Sequence, residues 1–412
     1  MNQTQLDILA GALEVDGTLP ALKKLVIKFR STPRVLAKLA EALVGGALPL
    51  LEHLDLYQND LTDDDLNLVA DMVEKRARIP GCQQLKTFEV NYGWLREASP
   101  VKIRLLRALL PSLKSLSGFV RWHADFDPCF RGICPPHLEV LDVHIDDEAF
   151  PSLEVLEAAP ALKKIKFDSY SMGVVFQPVI AALHRGIGLQ KLQDIHITDC
   201  VIGDANFGDF LQALKGSGCA DRMMVLSFWN CGIGVEGARA LANLLRRDEL
   251  PALEVLSLID NAEMGDEGVA ALASGLGEAP RTMLTHLDLT YVGMGDVGMT
   301  ALASVIHQGR MQEIQDLNLG DVPGMTDKGM VALARAIDAR GLPKMRLLDM
   351  ETYSQNYTAL GFGALILAFV RGCPEMKCIT LSCPNPVLDK AALQTMIQGM
   401  LQAAGRTAKV CL

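Results

Sequence analysis

Apolar residues recur along the chain as L-x-x-L-x-L, with Ile, Val, Met or Phe standing in for leucine. In the C-terminal half the groups are Met223/Leu226/Phe228, Leu253/Leu256/Leu258, Leu284/Leu287/Leu289, Ile314/Leu317/Leu319, Met345/Leu348/Met350 and Met376/Ile379/Leu381. Their first positions lie thirty or thirty-one residues apart. Upstream, Leu192/Ile195/Ile197, Leu162/Ile165/Phe167, Leu138/Leu141/Val143, Leu85/Phe88/Val90, Leu51/Leu54/Leu56 and Leu22/Leu25/Ile27 fit with looser spacing, and Leu113/Leu116 is a degenerate member. That makes thirteen units by count. The closing L-x-L alternates with a period of two, so each group predicts a short strand with leucines on one face.

The other half of each unit repeats with a different period. Gly237, Gly268, Gly298 and Gly329 each precede a leucine by four residues, and Leu245, Leu276, Ile306 and Ile337 follow four later. A spacing of four is one helical face, so each unit pairs its strand with an amphipathic helix. Asp204, Asp266, Asp296 and Asp327 fall just before or within the first helical turn, where a carboxylate caps free amides and opposes the helix dipole. Such units pack only on their neighbours, which predicts a solenoid.

The stretch LEVLSLIDNAEMGDEGVAALASGL resembles the ribonuclease-inhibitor-like branch of the leucine-rich-repeat family, and the resemblance covers almost the whole chain. It implies an α/β horseshoe, with a parallel β-sheet on the concave side and helices on the convex side. An Asn or Cys three residues after the strand belongs to this pattern. It is present at Asn59, Cys200, Cys231 and Asn261 and absent at Val292, Val322 and Tyr353, where the turns are expected to be held by other means. The expected organisation is one domain over 1–412. Residues 1–21 form a helical half-repeat, 117–137 an irregular connection, and 406–412 the start of a further repeat. Neither end offers an obvious polar cap. Three readings of this stay open: the first helix caps the array, the natural protein continues, or self-association covers the ends.

Within L-x-x-L-x-L the intervening residues point out onto the concave sheet and form the candidate binding surface. It includes Asp55 and Tyr57 early, His196 in the middle, and Trp229, Ile259, His286, Asp288, Asp316, Asp349 and Glu351 later. Asp288, Asp316, Asp349 and Glu351 recur on neighbouring strands as a negative stripe. The alternative is that they only keep an exposed sheet hydrated. Trp229, Val255 and Ile259 form an apolar island beside the stripe, suited to anchoring a partner.

Composition sharpens this picture. Half the residues are hydrophobic but only 5% are aromatic, so the core is aliphatic. The formal charge of −10 disfavours a nucleic-acid backbone as partner and favours basic proteins. No apolar run is long enough to cross a membrane, and the polar, acidic start lacks a signal peptide's basic region. With ten cysteines placed like packing residues, a reducing cytoplasmic setting is expected, which makes the Asn2 and Asn356 sequons chance matches. Cys129, Cys134 and His137 have loose zinc-like spacing, but an irregular convex connection is the favoured reading, and no metal or cofactor is assigned. There is no Walker loop, nucleophile elbow or HExxH motif. The expected function is therefore a non-catalytic scaffold that binds a protein on the concave face. The alternatives are a GTPase activator resembling the Ran-activating group, or the sensor part of a larger receptor or ubiquitin-ligase adaptor.

Overall fold

The computed structural model describes residues 21–27, 37, 40–41, 43–46, 48–56, 61–90, 99–122, 126–145, 151–169, 176–322, 324–351, 358–381, 390–403, 405 and 409–411. They fall into two compact units, Met1–Leu192 and Gln193–Leu412. Residues 1–20, including most of the expected N-terminal half-repeat, lie outside the described residues.

In the first unit the apolar alternation produces six strands: β1 (Lys24–Val26), β2 (His53–Leu56), β3 (Thr87–Val90), β4 (Ser115–Trp122), β5 (Val140–Ile145) and β6 (Lys164–Ser169). They pair in chain order, all parallel. Like position meets like: Leu54 lies opposite Leu25 and Phe88, and Leu141 opposite Leu116 and Ile165. These residues are buried, because a helix follows each strand and covers its inner face. The helix α1 (Asp63–Arg76) opens with a reciprocal capping box. The Thr62 hydroxyl accepts from the Asp65 amide, and the Asp65 carboxylate accepts from the Thr62 amide at 2.9 Å. Its last residue, Arg76, is buried. The guanidinium donates to the carbonyls of Leu48 (2.7 Å), Pro49 (3.2 Å), Leu51 (3.3 Å) and Gln83 (3.0 Å). These are turn carbonyls that would otherwise lose water without a partner, so the arginine ties consecutive repeats together.

Part of the segment 117–137, expected to be an irregular connection, carries regular elements, while residues 123–125 lie outside the described residues. β4 runs through to Trp122, and a short helix, α3, spans Asp127–Ile133 after α2 (Pro100–Leu109). The irregularity lies in the pairing, which slips between Leu116 and Val120 as β4 follows β5. Extra residues in one strand disrupt the ladder locally and hide the period from the sequence. Cys129 is buried against Ile103, its Sγ 4.0 Å from that carbonyl oxygen, while Cys134 is exposed. No group of three metal-ligating side chains is assembled among the described residues. Two further helices complete this unit, α4 (Leu153–Glu157) and α5 (Gln177–Arg185).

The second unit is more regular. Its strands are β7 (Asp194–Thr198), β8 (Val225–Trp229), β9 (Val255–Ser257), β10 (His286–Asp288), β11 (Asp316–Asn318), β12 (Leu347–Met350), β13 (Cys378–Leu381) and β14 (Lys409–Cys411). They again pair parallel and in chain order. The helices α6 (Gly203–Gly216), α7 (Val235–Arg246), α8 (Gly265–Glu278), α9 (Asp296–His307), α10 (Asp327–Asp338), α11 (Ala359–Gly372) and α12 (Lys390–Ala403) alternate with them. The core is layered and mainly aliphatic; among its buried rings, Phe228 meets Phe207 and Phe210 edge to face, with ring centroids 5.0 Å and 5.5 Å apart. Cys200 and Cys231 are buried, and burial pushes the Cys231 thiol well up, so it packs as a small apolar group.

The aspartates at the helix starts act one repeat further on than the sequence suggests. The Asp204 carboxylate accepts from the amides of Gly234 and Gly237, at the start of α7. Asp266 does the same for Gly295 and Gly298 at the start of α9, and Asp296 for Thr326 and Gly329 at the start of α10. Asp327 serves Thr358 and Gly361 at the start of α11. A helix N-terminus leaves its first amides unbonded, and in a stack the nearest acceptor belongs to the preceding repeat. Burial raises the Asp296 pKa, but bonds from the Thr326 side chain and from the Thr326 and Gly329 amides outweigh it, so the pKa is lowered overall.

A carboxyl depressed in the folded state contributes stability that is complete above the ordinary carboxylate range near ~4 and is lost as pH falls through the folded value. Asp296→Ala is therefore expected to cost about 1 kcal/mol near neutrality. Urea midpoints of the two proteins should converge as the pH falls below the ordinary carboxylate range. A gap that persists undiminished in acid would show that the carboxylate charge is not what matters.

Candidate functional site

The strands' outward residues line up in rows because the register is repeat for repeat. In the second unit one row runs His196, Ser227, Ser257, Asp288, Asn318 and Asp349. A second, on the N-terminal side of the strands, runs Val225, Val255, His286 and Asp316. A third, past the strand ends, is traced by the backbone bonds Asn230 N to Ile259 O, Asp260 N to Thr290 O, Tyr291 N to Gly320 O and Asp321 N to Glu351 O. It carries Trp229, Ile259, Thr290 and Glu351. Neighbouring positions in a row are about 4.8 Å apart.

Each sequence-predicted residue can now be placed. Trp229 is 47% exposed, and Ile259 is half-buried beside it. Asp288 is half-buried and doubly held: Oδ1 accepts from the Thr290 amide at 3.0 Å and Oδ2 from Asn318 Nδ2 at 2.8 Å. His286 Nε2 lies 2.7 Å from Asp316 Oδ2, and its Nδ1 is 2.7 Å from the Thr285 hydroxyl. Asp349 is half-buried and accepts from the Glu351 amide at 2.9 Å, while Glu351 is exposed. His196 is half-buried at the β7 end of the first row. These eight residues share one face of the second unit. Asp55 belongs to the first unit and is only 8% exposed, so it offers a partner little surface. Tyr57 lies outside the described residues.

The turn that follows each strand contributes residues that the strand pattern did not single out. Asp199, Asn230, Asp260, Tyr291 and Asp321 occupy one position in five successive repeats, all with φ between 47° and 59°. Asp and Asn tolerate this left-handed conformation through short polar side chains, whereas tyrosine does not. Tyr291 is nevertheless placed there, 47% exposed and two strands from Trp229. Packing does not account for it. The thirty- or thirty-one-residue spacing of these positions carried the signal in the sequence.

Charge separates the two units. On the outward face of the first, Lys166 lies 3.6 Å from Asp142 and 3.2 Å from Asp168, so its charges are paired within the sheet. Burial pushes the Asp142 carboxyl up, its nearby lysine notwithstanding. In the second unit Asp288, Asp316, Asp349 and Glu351, with Asp260 and Asp321 on the turns, have no Lys or Arg partner among the described residues. Outward positions of β7–β13 carry no Lys or Arg among those described. Arg239, Arg246 and Lys344 lie instead on helices and helix-to-strand turns.

The family model for the leucine-rich repeat matches residues 250–273 and 282–303. The ribonuclease inhibitor of Sus scrofa is 35% identical over 109 residues, which span 26% of this chain and 23% of the inhibitor. Among solved structures, a TLR13–ssRNA13 complex aligns with a TM-score of 0.44 at 15% identity, over 89% of this chain and 46% of that one. The yeast Rad7–Elc1 complex aligns with a TM-score of 0.38 at 14% identity, over 87% and 89%. No helix among the described residues is long and apolar enough to cross a membrane. The repeat signature, the strand–helix unit and the partial identity agree on a leucine-rich-repeat fold, and over about a quarter of its length the chain is similar to the ribonuclease inhibitor.

Proposed function

We propose that this chain is a non-catalytic scaffold that holds a protein partner on the open face of its sheet, with the docking surface in the second unit. The observation that carries this reading is the outward surface of β8–β12. There the exposed Trp229 and Tyr291 flank Ile259, and the carboxylates of Asp288 and Asp349 adjoin them with no Lys or Arg partner among the described residues, while Asp316 faces His286. Aromatic anchors beside a polar rim are where binding energy concentrates, and an unpaired negative field steers basic partners while repelling nucleic-acid backbones. His286, Thr285 and Asp316 form a hydrogen-bonded chain, but it is half-exposed and no anion-stabilising donors converge on it among the described residues.

The test is affinity capture with the intact chain against the triple variant Trp229→Ala/Asp288→Ala/Asp349→Lys. The variant is expected to lose the partner while keeping its far-ultraviolet circular dichroism, since all three side chains lie outside the core. Partner recovery equal to that of the unmodified chain would place the docking surface elsewhere.

A further inference from the structure

We infer that this surface is built to receive an arginine side chain from the partner, with the guanidinium on Asp288 and the aliphatic stem against Ile259 and Trp229. The inference rests on the scaffold reading and deepens it by specifying the anchor.

Ser257 provides the first observation. It is 8% exposed, sits in register beside Asp288, and its hydroxyl oxygen has no hydrogen-bond partner. On the other side of Asp288, the side-chain oxygen of Asn318 is also without a partner. Buried polar atoms are nearly always bonded, so two acceptors left open on either side of one carboxylate mark a place where donors are missing. The missing group must supply several N–H donors and positive charge.

Geometry selects a guanidinium over an ammonium. Both Asp288 oxygens are fixed by the Thr290 amide and the Asn318 side chain, and each retains a second lone pair. A carboxylate held in one orientation matches a planar fork with parallel donors, whereas an ammonium engages it only as a point charge. The remaining guanidinium donors fall toward the open oxygens of Ser257 and Asn318, one strand away on either side. Ile259 lies two residues beyond Ser257 on the same face, in reach of a methylene stem. Trp229 lies one strand further and extends the apolar surface available to the stem. A carboxylate pre-positioned in this way requires no reorganisation when the partner arrives.

The full-length chain is titrated with two fluorescent peptides of equal length and charge, one with arginine and one with lysine at every second position. The arginine peptide is expected to bind at least about tenfold more tightly. Asp288→Asn should abolish that preference, and Trp229→Ala should weaken both peptides. Asp221→Asn, on an exposed 3-10 turn before β8, should leave both unchanged and serves as a control for net charge. Equal affinity for the two peptides, or a preference that survives Asp288→Asn, would overturn the inference. The scaffold reading fails separately: it would be lost if the triple variant still captured the partner, whatever the peptides do.

Discussion

Asn261→Ala is expected to destabilise the second unit by on the order of 3–5 kcal/mol. Asn261 is fully buried, at 0% exposure, in the turn between β9 and α8. Its Oδ1 accepts from the amides of Cys231 at 3.1 Å and Ile233 at 3.0 Å, both in the preceding repeat. Its Nδ2 donates toward the carbonyls of Phe228, Leu258 and Ile259 at 2.9, 2.9 and 3.0 Å, so its two hydrogens serve three acceptors. Alanine strands the two amides and the carbonyls of Phe228 and Leu258 in a site that excludes water, while Ile259 O keeps the Asn230 amide, and each orphaned group costs roughly 1–3 kcal/mol unless the turn opens. Valine, found at the matching positions Val292 and Val322, does not rescue, because it restores volume but not acceptors. The decisive readout is amide exchange at Cys231 and Ile233, which should accelerate together with the fall in urea midpoint. Unchanged exchange at both would mean that those amides are satisfied some other way.

Gly293→Ala carries the second large effect. Gly293 has φ +69°, and a Cβ there would lie 2.2 Å from the carbonyl oxygen of Ala262, a backbone atom that cannot rotate aside. Left-handed strain of about 1 kcal/mol therefore adds to a steric overlap, and a total near 3 kcal/mol is expected. Gly232 supplies the internal comparison. It occupies the equivalent place two repeats earlier with φ +66°, but the nearest atom to its Cβ is 3.9 Å away. Gly232→Ala should thus show the strain alone, about 1 kcal/mol. Equal thermal-unfolding losses in the two variants would exclude the overlap as the cause.

The scaffold reading gains from the contrast between the units. An exposed sheet must be hydrated, but hydration is met equally well by paired charges such as Lys166 with Asp142 and Asp168. Leaving Asp288, Asp349 and Glu351 unpaired beside exposed aromatic rings sacrifices self-neutralisation that the first unit retains. Tyr291 adds a residue held in a left-handed turn without burial. Backbone strain kept where packing does not demand it is a mark of a surface selected for contact.

The sequence by itself determined the strands, the helices and the order of pairing. Leucines with a period of two, followed by apolar residues every four, leave one way to bury both faces: against the same face of the next unit. It also placed the outward rows along β8–β12, with Ser257 buried at 8% exposure as the exception, because alternation on a strand is a local geometric rule. Where that rule is broken locally, prediction failed. The register slip in β4 concealed the strand's continuation to Trp122, and Asp55 is buried although its alternation points it outward.

Only the tertiary structure decided which repeat each polar group serves. Asp204, Asp266, Asp296 and Asp327 read as caps for their own helices, yet they bond to the next, because in a stack the nearest free amide lies across the interface rather than along the chain. Gly232 and Gly293 look equivalent in the repeat pattern. They differ because Gly293 rests on the 3-10 turn at Ala262–Met264, whereas Gly232 faces the small Gly203. The repeat pattern specifies what each unit is, while contacts between units, set by distances of a few ångströms across non-local neighbours, determine what each side chain does.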